Sequence, residues 1–327
     1  WSCRHRCARG RGVGSAKALM TEHQANPESS QPLLEVVPLG GLGEFGLNSM
    51  AVSYADTLVL IDAGSMFPEP ELLGIDLIVP DFTYLLGREA RTRAIVLTHG
   101  HEDHIGAVSY VVKQFGGPIY GTPMTLALIE AKLAERGLDV ADRLVPVRPR
   151  DRIVVGDFTL EFLRVTHSMP DCVAVAVHTP VGVVVHTGDF KVDQTPLDGE
   201  HFDFHRFAEL GGQGVLALFS DSTNIERPGF TGSEVDVVPA FEEIFASTRG
   251  KIVVTSFATS VYRLQILVNM AAQFGRKVAF LGRGMVESSQ LAQRLGYLKI
   301  PAGLVIRESE IKSHPAAGVA CLVTGSQ

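Results

Sequence analysis

The sequence predicts an α/β protein in two parts, an α/β sandwich followed by an α/β domain with a parallel sheet. From Leu33 onward, apolar runs alternate with turn residues. The first strands come in pairs, as they do in hairpins, and regular strand–helix pairs follow residue 224. A chain of 327 residues is long enough for two domains.

Composition places the chain among globular proteins and limits its partners. Hydrophobic residues make up 46% and charged residues 20%, which is enough for a large core. No apolar run reaches the roughly 20 residues of a membrane-spanning helix, so we expect no membrane contact. The net charge of −7 disfavours non-specific nucleic-acid binding, although a local positive groove would admit such a substrate. The four scattered cysteines predict reduced thiols in a cytoplasmic protein.

The two ends of the sequence predict a leader at the start and a truncation at the end. Residue 1 is Trp, and residues 1–19 carry five basic side chains and no acidic one. They contain no apolar segment typical of a secretory signal. We expect residues 1–32 to be a disordered or non-native leader. The last residues, "GVACLVTGSQ", stop where a buried strand gives way to a turn, so we expect a truncated piece of a longer protein.

The first part is predicted to contain strands and hairpins with helices between them. The predicted strands and hairpins are "LLEVVPLGG", "SMAVSYADTLVLIDAG" with a turn at Ala55-Asp56, "RTRAIVLTHG", "DRIVVGDFTLEFLRVTHS" and "DCVAVAVHTPVGVVVHTGDF". The predicted helices are "IGAVSYVVKQFG" and "MTLALIEAKLAERG", the second ended by Gly137.

After "GVLALFSDSTN" the pattern changes to single strands that alternate with helices. The predicted helices are "EVDVVPAFEEIFAST", "SVYRLQILVNMAAQFG" and "MVESSQLAQRLGYL". The predicted strands are "GKIVVTSF", "KVAFLG" and "GVACLVTGS". Repeated βαβ units predict a parallel sheet. We therefore divide the chain into a first domain at residues 33–226 and a second at 227–327.

Six histidine and aspartate side chains lie where predicted strands end. Four of them stand within "THGHEDHIGA", and two follow later hairpins in "VTHSMPD" and "HTGDFK". Alternate side chains of an extended chain point the same way, so neighbouring histidines two apart can share one ion. Imidazole and carboxylate suit zinc or manganese, and the lack of nearby thiolates disfavours a structural zinc finger. The six residues are His99, His101, Asp103, His104, His167 and Asp189.

These side chains predict a centre with two divalent metal ions, Zn²⁺ in preference to Mn²⁺ or Mg²⁺. His99, His101 and His167 are expected to bind one ion. Asp103 and His104 are expected to bind the other, with Asp189 bridging the two. Such a pair activates a hydroxide for attack on a phosphoryl or acyl group. We accordingly assign catalytic roles to Asp103, His104 and Asp189.

The motifs also carry a family resemblance. "THGHEDH", "DAG" at 62–64, His167 and "TGD" at 187–189 resemble the metal-binding motifs of the metallo-β-lactamase superfamily. The longer segments "PLGGLGEFGLN", "MFPEPELLGIDLIVPDFTYL", "HTGDFKVDQTP" and "SDSTNIERPGFT" resemble the ribonuclease J family. This resemblance implies a metallo-β-lactamase αββα sandwich at residues 33–226. It implies an incomplete β-CASP α/β domain with a parallel sheet at 227–327.

The resemblance implies further site residues. Asp62 would orient a metal ligand without touching the ion, although "DAG" could also be a simple turn. Asp221 matches the acidic residue that heads the β-CASP region, although it could equally form an Asx-turn or a helix cap. Tyr262 stands where the family usually has His in "SFATSVYRLQ", the element that faces the RNA backbone. Gly325 and Ser326 stand in "TGSQ", which resembles part of a terminal-phosphate pocket. The weaker candidates for phosphate contact each lie beside a site motif, although each could be an ordinary surface charge: Arg227, Arg263, Lys191 and Arg283.

The function implied by the resemblance is a metal-dependent ribonuclease of RNA processing and decay. It would be a 5′-to-3′ exonuclease, with endonuclease action as an option, on single-stranded RNA with a 5′-monophosphate end. The full-length parent would be a cytoplasmic homodimer or homotetramer. Two alternatives stay open: another hydrolase of this fold acting on a thioester, lactone or β-lactam, and a catalytically impaired RNA-binding fragment. Because the family's last metal histidine lies in a later segment, we expect weak or no activity from these 327 residues alone.

Overall fold

The computed structural model describes residues 32–324 of the protein, and its first sheet contains six strands in sequence order. The first three strands are antiparallel neighbours, and the third to the sixth are parallel. The predicted turn at Ala55-Asp56 joins the second and third strands. The six strands are β1 (Glu35–Gly40), β2 (Ser49–Tyr54), β3 (Thr57–Ile61), β4 (Thr92–Val96), β5 (Ile119–Gly121) and β6 (Leu144–Pro146).

The second sheet contains five strands in the order β11-β10-β9-β8-β7. Its first four strands in sequence form antiparallel hairpins, as predicted, and the last pairs in parallel with β10. The five strands are β7 (Arg152–Val155), β8 (Phe158–Arg164), β9 (Val173–Thr179), β10 (Gly182–His186) and β11 (Ala217–Phe219).

The two sheets form the inner layers of the predicted sandwich, and β3 shows how its sequence builds them. Successive side chains of a strand point to opposite faces. Val59 and Ile61 therefore pack with residues of the second sheet, including Phe162. Leu58 and Leu60 pack on the other face, in the core that covers the first sheet. These four residues of β3 are all buried. The run "LVLI" is therefore apolar on both faces of the strand instead of alternating between apolar and polar side chains.

Four α-helices accompany the two sheets within the described residues, and three of them differ from the sequence prediction. The segment "IGAVSYVVKQFG" was expected to be one helix, but the chain forms two four-residue helices, because the amide of Ala107 donates to the carbonyl of Ala63 instead of continuing the helix. A helix with Asp203 as its side-chain cap was not predicted at all. The four are α1 (Glu102–Ile105), α2 (Val108–Val111), α3 (Pro123–Glu135) and α4 (Phe204–Gln213).

The last part of the chain forms the predicted parallel sheet, with strands in the order β12-β14-β13. Its helices pack against the outer face of the second sheet, since Leu264, Leu267 and Met285 share one apolar core with Ala174 and Ala176. The predicted fold class is therefore confirmed. The elements are α5 (Val238–Ser247), β12 (Ile252–Thr255), α6 (Val261–Gln273), β13 (Lys277–Leu281), α7 (Arg283–Arg294) and β14 (Val319–Val323).

Three further expectations from the sequence concern membrane contact, the cysteines and the leader. No helix within residues 32–324 combines the length and the apolar character needed to cross a bilayer. Cys172 and Cys321 are buried free thiols. The predicted leader at residues 1–32 lies, except for Pro32, outside the described residues.

A buried carboxylate ties α4 to the second sheet. Glu161 of β8 accepts hydrogen bonds from the guanidinium of Arg206 at 2.6 and 3.0 Å and contacts His178 Nε2 at 2.7 Å. Burial alone would raise the pKa of Glu161, but Arg206 and His178 outweigh burial and lower it. Ionised Glu161 therefore stabilises the fold above its unfolded pKa of about 4.3, and this contribution is lost as the pH falls through the lower folded value.

Replacing Glu161 with Gln is expected to destabilise the protein at pH 7 by about 2 kcal/mol, because hydrogen bonds to charged groups contribute about 1.5–3 kcal/mol. The difference from wild type should narrow below about pH 4, where Glu161 takes up a proton. Urea unfolding at both pH values measures this. Glu209→Gln, which removes a more exposed partner of Arg206, is the control. Equal unfolding free energies for wild type and Glu161→Gln at pH 7 would contradict the prediction.

Candidate metal centre

The segment after β4 is held against the loop after β3 by backbone hydrogen bonds. The amides of Ala63 and Ser65 donate to the carbonyls of His104 and Glu102 at 2.9 and 3.0 Å. Gly64 lies between them, and a Cβ there would overlap the carbonyl oxygen of Asp103. A glycine is therefore required for this close approach, which fixes the backbone that carries the histidine cluster.

The first group of candidate metal ligands consists of three histidines that the sequence analysis assigned to one ion. One ligand atom from each of His99, His101 and His167 lies within 4.8 Å of the others. His101 Nδ1 is 3.1 Å from His99 Nε2 and 3.1 Å from His167 Nε2. His167 reaches the cluster from the loop between β8 and β9, so the structure brings the two distant segments together.

The second group consists of His99, His104 and Asp189, again within 4.8 Å of one another. His104 Nε2 is 3.1 Å from Asp189 Oδ1. Asp103 lies beside this group and not within it, with Oδ2 at 3.7 Å from His104 Nε2 and 38% of its side chain exposed. Adjacent residues of a helix point about 100° apart, so α1 directs His104 inward and Asp103 toward solvent.

Asp62 holds His104 in place, as the resemblance implied. Its side chain is completely buried, and its Oδ2 is 2.7 Å from His104 Nδ1. The amide and the hydroxyl of Thr98 also donate to this carboxylate, both at 2.8 Å. With Nδ1 directed at Asp62, the other nitrogen of His104 is free to face Asp189.

Thr98 fixes the tautomer of His99 as well. Its hydroxyl proton is donated to Asp62, so the oxygen can only accept from His99 Nδ1, which is 3.1 Å away. His99 Nε2 then carries the lone pair that could bind an ion. Thr98 was not identified from the sequence, although it precedes the histidine motif directly.

Burial and neighbouring charges set the protonation of these groups. Burial, together with the nearby imidazoles, lowers the pKa of His99 and lowers that of His101 to about 4. Burial would raise the pKa of Asp189, but His104 and the other imidazoles lower it to about 2. Burial likewise opposes a proton on His104, yet Asp62 and Asp189 raise its pKa. Neutral imidazoles and an ionised carboxylate are the forms that bind Zn²⁺ and similar ions, so His99, His101 and Asp189 fit divalent cations as they stand, whereas His104 has to release its proton when an ion binds.

Asn48 is a further residue of the site that the sequence analysis did not single out. Its Nδ2 lies 3.1 Å from His104 Nε2 and 3.5 Å from Asp103 Oδ2. It ends the segment "GGLGEFGLN", which is the signal that could have identified it. Its amide also donates to the carbonyl of Asp103 at 3.0 Å, so Asn48 contacts both acidic and imidazole groups at the edge of the cluster.

Asp221 takes one of the structural roles that the sequence left open. It forms an Asx-turn, since Oδ1 accepts from the amide and hydroxyl of Thr223 at 2.8 and 2.7 Å. Its Oδ2 accepts from the amide of Phe190 at 3.2 Å. Because Phe190 follows Asp189, this bond fixes the backbone that carries a candidate ligand.

A cleft of about 820 Å³ opens beside the second group. It lies between the glycine-rich loop at residues 41–46 and the segment at 218–227, and it is lined by Asp103, His104 and Asp189. Arg227 lines the same cleft, and its contact with a phosphate stays a prediction.

The other candidates for RNA contact have different surroundings. The hydroxyl of Tyr262 donates to Asp198 Oδ2 at 2.5 Å. The guanidinium of Arg263 donates to Glu234 at 2.7 and 3.1 Å. Neither residue lines the cleft. Gly325 and Ser326 lie outside the described residues, and their proposed role stays a prediction.

Both the fold and the donor set define the class of this protein. Residues 42–248 match the family model of the metallo-beta-lactamase superfamily, and the chain belongs to that superfamily. Residues 249–327 match the model described as "Ribonuclease J, beta-CASP domain". The resemblance drawn from the sequence motifs is thus confirmed for both parts.

Curated relatives agree with this assignment. The chain is 44% identical to the Ribonuclease J of Synechocystis over 296 residues, which is 90% of this chain and 46% of that protein. It is 43% identical to the Ribonuclease J of Thermus thermophilus, covering 91% of this chain and 53% of that protein. The chain therefore spans about half the length of the curated relatives it matches.

A solved structure shares the fold at low sequence identity. The crystal structure of a protein of unknown function from Enterococcus faecalis aligns with a TM-score of 0.63 at 17% identity. The alignment covers 90% of this chain and 77% of that protein. The architecture is thus shared even where most residues differ.

Asp62→Asn is expected to lower divalent-metal affinity about 10- to 100-fold, the usual effect of losing a partner that orients a ligand. Asn retains the left-handed backbone of residue 62 (φ 58°), but it has one acceptor oxygen for the three donors from Thr98 and His104. Isothermal titration with Zn²⁺ or Mn²⁺ measures the loss. Asp157→Asn removes a carboxylate that accepts from Thr57 outside the cluster and serves as the control. Unchanged metal affinity in Asp62→Asn would refute the orienting role.

Proposed function

We propose that the protein is a metal-dependent ribonuclease that hydrolyses RNA phosphodiester bonds in RNA processing and decay. The observation that carries this proposal is the cleft in which His104 and Asp189 face a segment leading into the C-terminal part. That part matches a Ribonuclease J domain. A hydrolase of thioesters, lactones or β-lactams has no comparable need for a second α/β layer beside the cleft, so the relatives and the fold both favour RNA.

Two divalent ions are proposed for the centre, with Zn²⁺ preferred because the donors are mostly imidazoles. When bound, such ions polarise a water molecule and stabilise negative charge on a phosphoryl oxygen. His99, His101 and His167 would hold one ion, and His104 and Asp189 the other, with Asp189 near both groups. Asp103 reaches the cleft from beside His104, where its Oδ2 could accept a proton from the attacking water.

The charges of the cleft make RNA binding depend on the ions. The lining holds five carboxylates and one guanidinium: Glu44, Asp103, Asp189, Asp221, Glu226 and Arg227. Without cations this surface repels a phosphate backbone. Bound divalent ions would neutralise much of the charge and leave Arg227 able to contact a phosphate.

The rim of the cleft offers apolar surface for bases. Phe45 is 74% exposed and Ile225 is 81% exposed, and both line the cleft. Stacking on an aromatic side chain is independent of base identity and contributes about 1–3 kcal/mol per base. An enzyme that processes RNA of varied sequence requires this kind of contact.

The substrate, the direction of degradation, the compartment and the oligomeric state are proposed from the family resemblance. The substrate would be single-stranded RNA with a 5′-monophosphate end, degraded 5′ to 3′ with endonuclease action as an option. Gly325 and Ser326 would contribute to the terminal-phosphate pocket. The protein would act in the cytoplasm as a homodimer or homotetramer.

The direct test uses 5′-labelled RNA carrying a monophosphate or a hydroxyl, incubated with the protein that contains these residues. Release of labelled mononucleotides from the monophosphorylated RNA is expected, together with loss of cleavage by at least about 100-fold in Asp189→Asn, since a ligand and a charge are removed. Release of only long labelled oligomers would contradict exonuclease action. Hydrolysis of a chromogenic β-lactam without RNA cleavage would favour the other hydrolase class.

Phe45→Ala is expected to raise KM for RNA roughly 10-fold with little change in kcat, because stacking positions the strand without touching the reacting phosphate. Steady-state kinetics on oligonucleotides of mixed sequence measure both constants. Phe67→Ala, which removes an exposed Phe (53%) outside the cleft lining, is the matched control. A fall in kcat alone would exclude the stacking role.

A further inference from the structure

We propose that Arg263 and Tyr297 are positioning residues of the metal centre. They belong to the C-terminal part of the chain. Tyr297 is bonded directly to a loop that carries a candidate ligand, and Arg263 is connected to such a loop through Glu234. We call residues 166–171, which include His167, and residues 187–193, which include Asp189, the two ligand loops. The inference rests on the proposed metal centre and adds a role for residues outside it.

The two ligand loops are bonded to each other next to their ligands. The amide of Lys191 donates to the carbonyl of Thr166 at 2.8 Å. The hydroxyl of Thr166 donates back to the carbonyl of Lys191 at 2.5 Å, and it accepts from the amide of Asp193 at 3.2 Å. Because His167 follows Thr166 and Asp189 lies two residues before Lys191, a shift of Lys191 displaces both ligands.

Arg263 reaches this bridge through Glu234. Its Nη2 and Nε donate to Glu234 Oε2 at 2.7 and 3.1 Å. The other carboxylate oxygen accepts from Lys191 Nζ at 3.0 Å. Glu234 and Lys191 are only 14% and 12% exposed, so removing one partner leaves a poorly solvated charge. The guanidinium on α6 thus fixes the position of Lys191, and through its backbone the bridge between the loops.

Tyr297 holds the other end of the His167 loop. Its hydroxyl donates to Asp171 Oδ2 at 2.6 Å. The same carboxylate accepts from the hydroxyl of Thr122 at 2.9 Å and from the amide of Met124 at 3.0 Å. Asp171 has a left-handed backbone (φ 57°), a conformation that persists where surrounding contacts determine it. After His167 the loop is therefore bonded directly to the C-terminal part through Tyr297, and before His167 it is connected to that part through Lys191 and Glu234.

These contacts give Arg263 a different role from the one expected from the sequence. A guanidinium that faced RNA would be free to bind phosphate, whereas this one is paired in two hydrogen bonds with the largely buried carboxylate of Glu234. Loss of the pair should therefore alter the spacing of the candidate ligands, and so metal affinity and kcat, while KM for RNA stays nearly constant. A merely structural ion pair would change unfolding free energy alone.

The experiment measures Zn²⁺ and Mn²⁺ binding by isothermal titration, without RNA, for the full chain and its variants. Arg263→Gln is expected to weaken metal affinity about 10-fold, Arg263→Lys to restore part of it, and Tyr297→Phe to weaken it without changing charge. Arg307→Gln is the matched control, since Arg307 pairs with Glu310 on the surface at 3.0 Å away from the ligand loops. Thermal unfolding identifies any variant that does not fold.

The outcomes separate this inference from the function on which it rests. If wild type binds no divalent ion, the proposed function fails and this inference with it. If wild type binds ions and both Arg263→Gln and Tyr297→Phe retain its affinity, only the positioning role is overturned. Should Arg263→Gln not fold, Tyr297→Phe decides, because it removes a single hydroxyl: a weakened affinity supports the role and an unchanged one refutes it.

Discussion

The buried carboxylate of Asp62 is the interaction on which the rest of the centre depends. A charge with no exposure to solvent is stable only when donors surround it, and here these donors come from Thr98 and His104. Satisfying Asp62 therefore requires the end of β3, the end of β4 and the start of α1 to meet at one point. The same bonds select the nitrogen that His99 and His104 present to the cluster.

The sandwich extends this local constraint to the other ligands. His167 and Asp189 follow strands of the second sheet, and the apolar core between the sheets, with Val59 packed near Phe162, holds that sheet against the first. The C-terminal part then packs on the outer face of the second sheet. Because each layer packs on the next, the loops that carry His167 and Asp189 are held in place. Short isolated segments would not keep these positions.

The sequence predicted those features that depend on local order. Strands end in turns, and polar residues just after several strands converge, which is why His99, His101, His167 and Asp189 can be grouped from the sequence alone. Partners across long distances could not be predicted, because spacing along the chain does not show which side chains meet in space. The bonds of Tyr262 and Arg263 to Asp198 and Glu234 were thus not anticipated, and the RNA contacts expected of these two residues stay a prediction. The prediction of a single helix after His104 was wrong for a similar reason, because the amide of Ala107 donates to the carbonyl of Ala63, which is distant in the sequence.

His99 belongs to both donor groups but has one available nitrogen, since Thr98 occupies the other. A single lone pair cannot serve two cations at once. In the proposed centre with two ions, the ion that took this imidazole would leave the other with fewer protein donors. Because Thr98 leaves His99 a single nitrogen for coordination, the two proposed positions would load stepwise and with unequal affinity.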